Sequence, residues 1–166
     1  IGIKYGLTLG AEYIMLLNND TTVPKNFIDP LLMTLDSSPE IAAVQPKIMF
    51  HEYPDKIWNA GGIYYPLNAS TRTIGYNKFD AEKYNKLKYV DWITGCCILI
   101  KTKIITEVGL LNDQFFAYYE DVDWSLRIRK LGYHLAYDPS IPIYHKISAS
   151  SKNKDKTAEG FLSPFV

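Results

Sequence analysis

The sequence predicts an α/β fold, a mostly parallel sheet flanked by helices. Three observations predict it. The apolar run Tyr13-Ile14-Met15-Leu16-Leu17 is bounded by polar residues, as a strand covered on both faces would be. Helical spacing stands on either side of it: Ile3, Leu7 and Ala11 before, Phe27, Leu31 and Leu35 after. The polar cluster Asn18-Asn19-Asp20-Thr21-Thr22 closes the strand at its carboxyl end, where open α/β sheets bind ligands. A chain of 166 residues suits one domain with a sizeable core.

The elements follow in order. Residues 1–11 read as a short helix and 13–17 as the buried, parallel strand. Pro24 suits a first helical turn, but Pro30 interrupts the spacing, so the second helix either kinks there or starts at Asp29-Pro30. Ser37-Ser38-Pro39 ends it. Short strands at 41–44 and 47–50 are separated by Pro46. Residues 51–88 are the least regular, with Gly61-Gly62, two prolines and many tyrosines; strands are expected at 57–63 and 71–75, and a loop or short helix at 80–86. Such a segment is either an acceptor-facing insert or a meander. Strands at 89–93 and 96–100 flank a Thr94-Gly95 turn. A helix at 103–108 takes Thr102 as its N-cap. Strands at 133–137 and 141–145 are joined by an Asp138-Pro139 turn. The small, polar, lysine-rich stretch from Ser148 reads as a tail or lid.

One stretch concentrates charge. Tyr118-Tyr119-Glu120-Asp121-Val122-Asp123-Trp124 places three carboxylates at the start of a helical pattern that Gly132 stops. There the helix dipole and free N–H groups favour negative charge. Read alone, these acids are ordinary capping, with Asp123 free to pair with Arg127 one turn on. Asn18-Asn19-Asp20 alone reads first as a plain Asx-rich turn, and only second as an oxygen donor set for a divalent cation such as Mg²⁺. His145 alone is a structural or exposed histidine.

Composition narrows the function. Lysine plus arginine equals aspartate plus glutamate, 18 each, for a net charge of zero. That excludes a protein whose main work is non-specific nucleic-acid binding. The two cysteines, Cys96 and Cys97, are adjacent, so no disulfide framework is indicated and a reducing compartment fits. No apolar run approaches the roughly 18 residues of a membrane span, and no signal-peptide pattern is present. The chain opens at Ile1 without methionine and ends at Phe165-Val166 without a clean stop, which suggests a fragment of a longer protein.

Together the motifs resemble the family-2 glycosyltransferases of the GT-A fold, in the bacterial rhamnosyltransferase and galactofuranosyltransferase-like branch. The resemblance rests on Tyr13-Ile-Met-Leu-Leu-Asn-Asn-Asp-Thr-Thr-Val-Pro, Gly61-Gly62, Trp92-Ile-Thr-Gly-Cys-Cys-Ile-Leu-Ile-Lys, the run from Val108 through Phe115-Phe116 and Glu120-Asp121-Val122-Asp123 to Arg127 with Gly132, and His145 followed by Ser148. It implies a Rossmann-like GT-A sheet, with residues 1–147 as the C-terminal two-thirds of the domain and 148–166 as tail or lid. The strand–helix–strand unit that holds the nucleotide base would be missing, and the fragment alone weakly active or inactive.

The resemblance also implies roles. Asp20 matches the last acid of a metal-binding Asp-X-Asp motif, with Asn18 in place of the first, and His145 completes the site for a Mg or Mn divalent cation. Asp121 matches the catalytic base, with Glu120 beside it. Asn18, Asn19 and Gly95 fall on the donor side, Trp92 and Tyr119 on the acceptor side. The donor would be a dTDP- or UDP-sugar and the acceptor a saccharide or lipid-linked glycan. The setting would be cytoplasmic, at the inner face of the plasma membrane, with peripheral membrane association and a homodimer as further expectations. The chemistry agrees: a Lewis acid stabilises the leaving diphosphate, and a single base activates the acceptor hydroxyl for inverting displacement. Two alternatives stand beside it, a non-catalytic carbohydrate-binding or scaffold domain and a nucleotidyltransferase, though no glycine- and basic-rich phosphate loop is visible near the start.

Overall fold

The computed structural model describes residues 1–115 and 118–146. The tail or lid expected over 148–166 lies outside the described residues, as do Phe116 and Ala117. Helix α1 (Gly2–Thr8) leads into β1 (Tyr13–Leu17), and α2 (Ile28–Asp36) into β3 (Ile41–Phe50), with the two-residue strand β2 (Thr21–Thr22) between. Pro30 falls in the first turn of α2, where its missing N–H costs nothing, so the helix starts beside Pro30 and does not kink. Strands β4 (Lys56–Asn59), β5 (Gly62–Tyr65), β6 (Ser70–Thr73), β7 (Lys78–Phe79) and β8 (Lys88–Val90) fill the irregular region, with one 3-10 turn at Glu82–Tyr84. Then come β9 (Cys97–Lys101), α3 (Thr102–Val108), α4 (Glu120–Lys130) and β10 (His134–His145).

The main sheet has the order β1-β9-β3-β10-β2. It corrects the expected direction of β1. That strand pairs antiparallel with β9, β9 pairs antiparallel with β3, and only β3 and β10 pair in parallel. Nor is the strand fully buried: β1 is an edge strand, half-buried from Tyr13 to Leu16 and with Leu17 41% exposed. Ile14 and Leu16 pack with the layer of α3 and α4, while Tyr13 and Met15 pack with the α2 layer. Because β9 is a reversed strand set between β1 and β3, the strands β1, β3 and β10 all point the same way. Their carboxyl ends reach one rim, and β9 begins at that rim.

Two core clusters sit on opposite faces of the sheet. Ile104 and Ile105 of α3 and Trp124 and Ile128 of α4 cover one; Leu31 and Leu35 of α2 cover the other. Alternate strand residues feed them, Ile98 and Ile100 to the first and Cys97 and Leu99 to the second.

Two expected breaks are not breaks, and one expected cap is not a cap. Pro46 lies inside β3, where that edge passes from β9, which pairs with Ala43 and Val44, to β4, which pairs with Ile48 and Met49. A proline fits where the ladder has a gap. Asp138-Pro139 is a bulge within the single strand β10: the register against β3 shifts between Asp138 and Ile143, and the Asp138 carboxylate accepts the Ser140 N–H at 2.8 Å. Thr102 does not cap α3; it is the first helical residue, and its hydroxyl donates to the Glu12 carbonyl at 3.0 Å, tying α3 to the start of β1.

Candidate active site

At the rim, β1 runs out into a tight turn. The Thr21 hydroxyl and N–H donate to the Asn18 backbone carbonyl at 2.7 and 3.3 Å, so the Asn18 main chain and the Thr21 hydroxyl close the turn. Strand β2 then lies antiparallel to the end of β10, with Thr21 opposite His145. The Lys146 N–H closes the arrangement on the Asp20 carbonyl at 2.9 Å. This pairing brings Asp20 Oδ1 to 3.1 Å from His145 Nε2. His145 is 7% exposed, packs edge-on to Trp58 with 4.4 Å between ring centroids, and keeps Nδ1 buried without a partner among the described residues. Burial lowers its pKa below the ordinary histidine value, against the opposing pull of Asp20. The neutral imidazole, which has a lone pair to offer, is therefore the favoured form.

The second group comes from α4. Its N-cap, Tyr119, has no side-chain capping bond, and the helix opens on Glu120 and Asp121. Asp121 Oδ2 accepts the Gly95 N–H at 2.8 Å, and Oδ1 accepts the Val122 N–H at 2.8 Å. The carboxylate thus caps its own helix with one oxygen and grips the turn before β9 with the other. Burial pushes its pKa up and the Gly95 N–H opposes this; the Glu120 charge adds to the rise. Glu120 Oε2 is buried without a partner among the described residues. Asp123 points away to pair with Arg127 at 2.8 Å, and Arg127 also donates to the carbonyls of Val108 and Leu110. Asp123 is structural, as its spacing to Arg127 indicated.

A cleft of about 1040 Å³ joins the two groups. Asn18, Trp92, Gly95, Tyr119, Glu120, Asp121 and His145 line it; Asn19 and Asp20 are not among the lining residues, and Asp20 contacts the lining residue His145. The indole of Trp92 lies on Gly62, where a Cβ would fall 1.9 Å from the ring, and its N–H donates to the Ile63 carbonyl at 3.3 Å. Gly61-Gly62 is thus the seat of Trp92. Lining residues that sequence reasoning missed are Trp58, Asn59, Arg72 and Tyr76. Among the described residues, Arg72 is the one lysine or arginine that lines the cleft. All four lie in the irregular region, whose length was the only signal for them.

Among the described residues, no group of three histidine, cysteine, aspartate or glutamate side chains gathers to hold a metal ion. The Asp20–His145 pair offers one oxygen and one nitrogen donor, with a buried ring nitrogen left over. A two-donor set fits an open divalent-cation site completed by phosphate oxygens and water.

The chain matches the family "Glycosyl transferase family group 2" over residues 13–154. It is 31% identical over 138 residues to the low-salt glycan biosynthesis hexosyltransferase Agl10 of Haloferax volcanii, covering 78% of this chain and 41% of that protein. It is 26% identical over 157 residues to N-acetylglucosaminyl-diphospho-decaprenol L-rhamnosyltransferase of Mycobacterium tuberculosis, covering 87% and 50%. The chain therefore spans about half the length, or less, of these curated relatives. In three dimensions it is similar to GalNAc-T7, whose crystal structure holds UDP, GalNAc and Mn²⁺, with a TM-score of 0.62, 15% identity, and coverage of 86% of this chain and 30% of that one. This likeness shows the GT-A fold. With a match that runs from β1 past the end of β10, the protein belongs to the family 2 group of glycosyl transferases.

Proposed function

We propose that this chain carries the catalytic half of a metal-dependent, inverting glycosyltransferase. It moves a sugar, such as rhamnose or a hexose, from a dTDP- or UDP-linked donor to a saccharide or lipid-linked acceptor. The observation that carries the reading is the convergence of the Asp20–His145 pair and the Asp121 carboxylate on one cleft. The named activities of the relatives support the sugar classes. A cytoplasmic-face setting with a membrane-borne acceptor follows from the same reading.

In this mechanism Asp20 and His145 hold a divalent cation, which when bound neutralises charge on the leaving diphosphate. The Mn²⁺ of the fold neighbour makes Mn²⁺ the first cation to try. The Gly95 N–H holds the Asp121 carboxylate in the cleft wall. Its raised proton affinity brings it closer to the acceptor hydroxyl it must deprotonate. Glu120, one residue away, keeps that affinity high. Trp92 and Tyr119 offer aromatic faces to sugar rings, and Arg72 offers a guanidinium to an anionic group of the ligand.

The test is transfer by the full-length protein across dTDP- and UDP-sugars with Mn²⁺ or Mg²⁺. Asp121→Asn is expected to lower turnover by about 10²–10⁴-fold while donor binding, read by thermal shift with Mn²⁺, persists. Product NMR is expected to show an inverted anomeric centre. Unchanged transfer by Asp121→Asn removes the assigned base, metal-dependent sugar binding without transfer favours a scaffold, and full activity in chelator removes the cation.

A further inference from the structure

Asp121 is the outer end of a chain of contacts that begins inside the core. Gln45 on β3 is fully buried, and Asn59 at the end of β4 is 3% exposed. Gln45 Oε1 accepts the Thr94 N–H at 2.9 Å, and Nε2 donates to Asn59 Oδ1 at 2.9 Å. Asn59 Oδ1 also accepts the Gly61 N–H at 2.7 Å. Two backbone donors therefore fix which way both amides face, because a flip of either would set N–H against N–H. One residue beyond Thr94, the Gly95 N–H grips Asp121 at 2.8 Å.

Position 45 suits this task. It falls in the gap where β3 has left β9 and not yet met β4, so the backbone ladder does not hold the neighbouring turns there. Without the amide pair, the buried N–H groups of Thr94 and Gly61 would lose their acceptors and be left unsatisfied. Asn59, Thr94 and Gly95 also line the cleft, and Gln45 bonds to the first two.

We propose that Gln45, acting with Asn59, is a positioning residue: the buried amide pair sets the Thr94-Gly95 turn and through it the orientation of the Asp121 carboxylate. This rests on the glycosyltransferase reading for its effect on rate, but not for its effect on Asp121. The charged and polar groups acting on Asp121 are Glu120 beside it and the Gly95 and Val122 N–H groups; His145 and Arg72 line the same cleft, and Asp123 and Arg127 pair with each other. Of these, the Gly95 N–H is the strongest influence opposing protonation of Asp121. Displacing the turn removes it, so Asp121 holds its proton to higher pH, and the acid limb of the rate profile moves up.

The experiment compares the full-length wild type with Gln45→Met and Gln45→Glu, and with Thr34→Val as control. Thr34→Val breaks a buried bond, Thr34 to Asp138 at 2.6 Å, on the α2 face away from the cleft. The Gln45 variants are expected to lose about tenfold or more in kcat, in keeping with the rate cost of small misplacements. Donor KM should change by less than about twofold, while the acid limb shifts upward; Thr34→Val should lower Tm with the limb unmoved. NMR titration of the Gly95 amide, which reports Asp121 directly, should show a higher midpoint in Gln45→Met than in the wild type. Equal midpoints overturn the positioning role, whether or not transfer is detected. Absent transfer in the wild type with shifted midpoints overturns the enzyme reading and leaves the positioning intact. Should Gln45→Met not fold, Gln45→Glu, which keeps an acceptor for Thr94 and loses the donor to Asn59, carries the comparison.

Discussion

Tyr118 and Tyr119 stand side by side in the left-handed region, with φ of 67° and 68°, directly before Glu120 and Asp121. A non-glycine residue held there costs roughly 1–3 kcal/mol, and two in succession aim the first turn of α4 at Gly95. Tyr118 is 83% exposed, so its own packing does not repay that cost. Tyr118→Gly is therefore expected to leave Tm unchanged or raised, since relief of strain meets the extra flexibility of about 0.5–1 kcal/mol that glycine brings. Turnover should fall, because the entry to α4 loosens and a cleft-lining ring is lost. Melting curves beside kcat/KM check this, and a clearly lowered Tm would contradict it. Much of this scale was legible in advance. Asp123 with Arg127, and the placing of Asp121 and His145 on one cleft, followed from spacing and resemblance. Gln45 was not legible: beside Pro46 it falls in the expected break between two short strands, and its partner Thr94 lies 49 residues away. The doubled role of Asp121, cap and anchor at once, also needed the Gly95 contact to be seen.

At the scale of elements, the hairpin of β5 and β6 is seated on the strand-like segment after β8. The Tyr64 N–H donates to Asp91 at 2.9 Å, Gly62 bridges Trp92, and Arg129 of α4 pairs with Asp91 at 3.0 Å. Gly62→Ala puts a methyl group 1.9 Å from the Trp92 ring. It is expected to cost roughly 1–3 kcal/mol as overpacking, to shift Trp fluorescence as the indole is pushed toward the cleft, and to raise acceptor KM. Urea unfolding followed by emission checks all but the last, and an unshifted spectrum would show that the indole does not rest on Gly62. Helices and long strands were legible as elements because their periodicity is local. Their joins were less so. Proline at 46 and at 139 reads as a break from sequence, yet both strands absorb it, one at a gap in the ladder and one at a bulge.

For the whole molecule, the sheet separates two core clusters that share no residues. Leu35→Ala on the α2 face and Ile104→Ala on the α3 face should each cost about 2–5 kcal/mol. In the double variant the losses should add to within about 0.5 kcal/mol, as urea midpoints will show; strong non-additivity would mean the faces repack together. Strand direction was the largest feature the sequence did not disclose, because apolar content reports burial and is blind to polarity of the chain. The reversed β9 still leaves β1, β3 and β10 ending at one rim. Between the end of β3 and the start of β9 the chain makes a single excursion, residues 51–96, and from it come Trp58, Arg72, Tyr76, Trp92 and Gly95 of the cleft wall. Both candidate metal donors and the candidate base lie outside it. The candidate reactive groups and their Asn59, Thr94 and Gly95 supports thus lie outside the stretch between Gly61 and Thr94 that supplies Arg72, Tyr76 and Trp92 of the wall, so recombination at two points within that stretch exchanges this part of the wall while the candidate groups keep their supports.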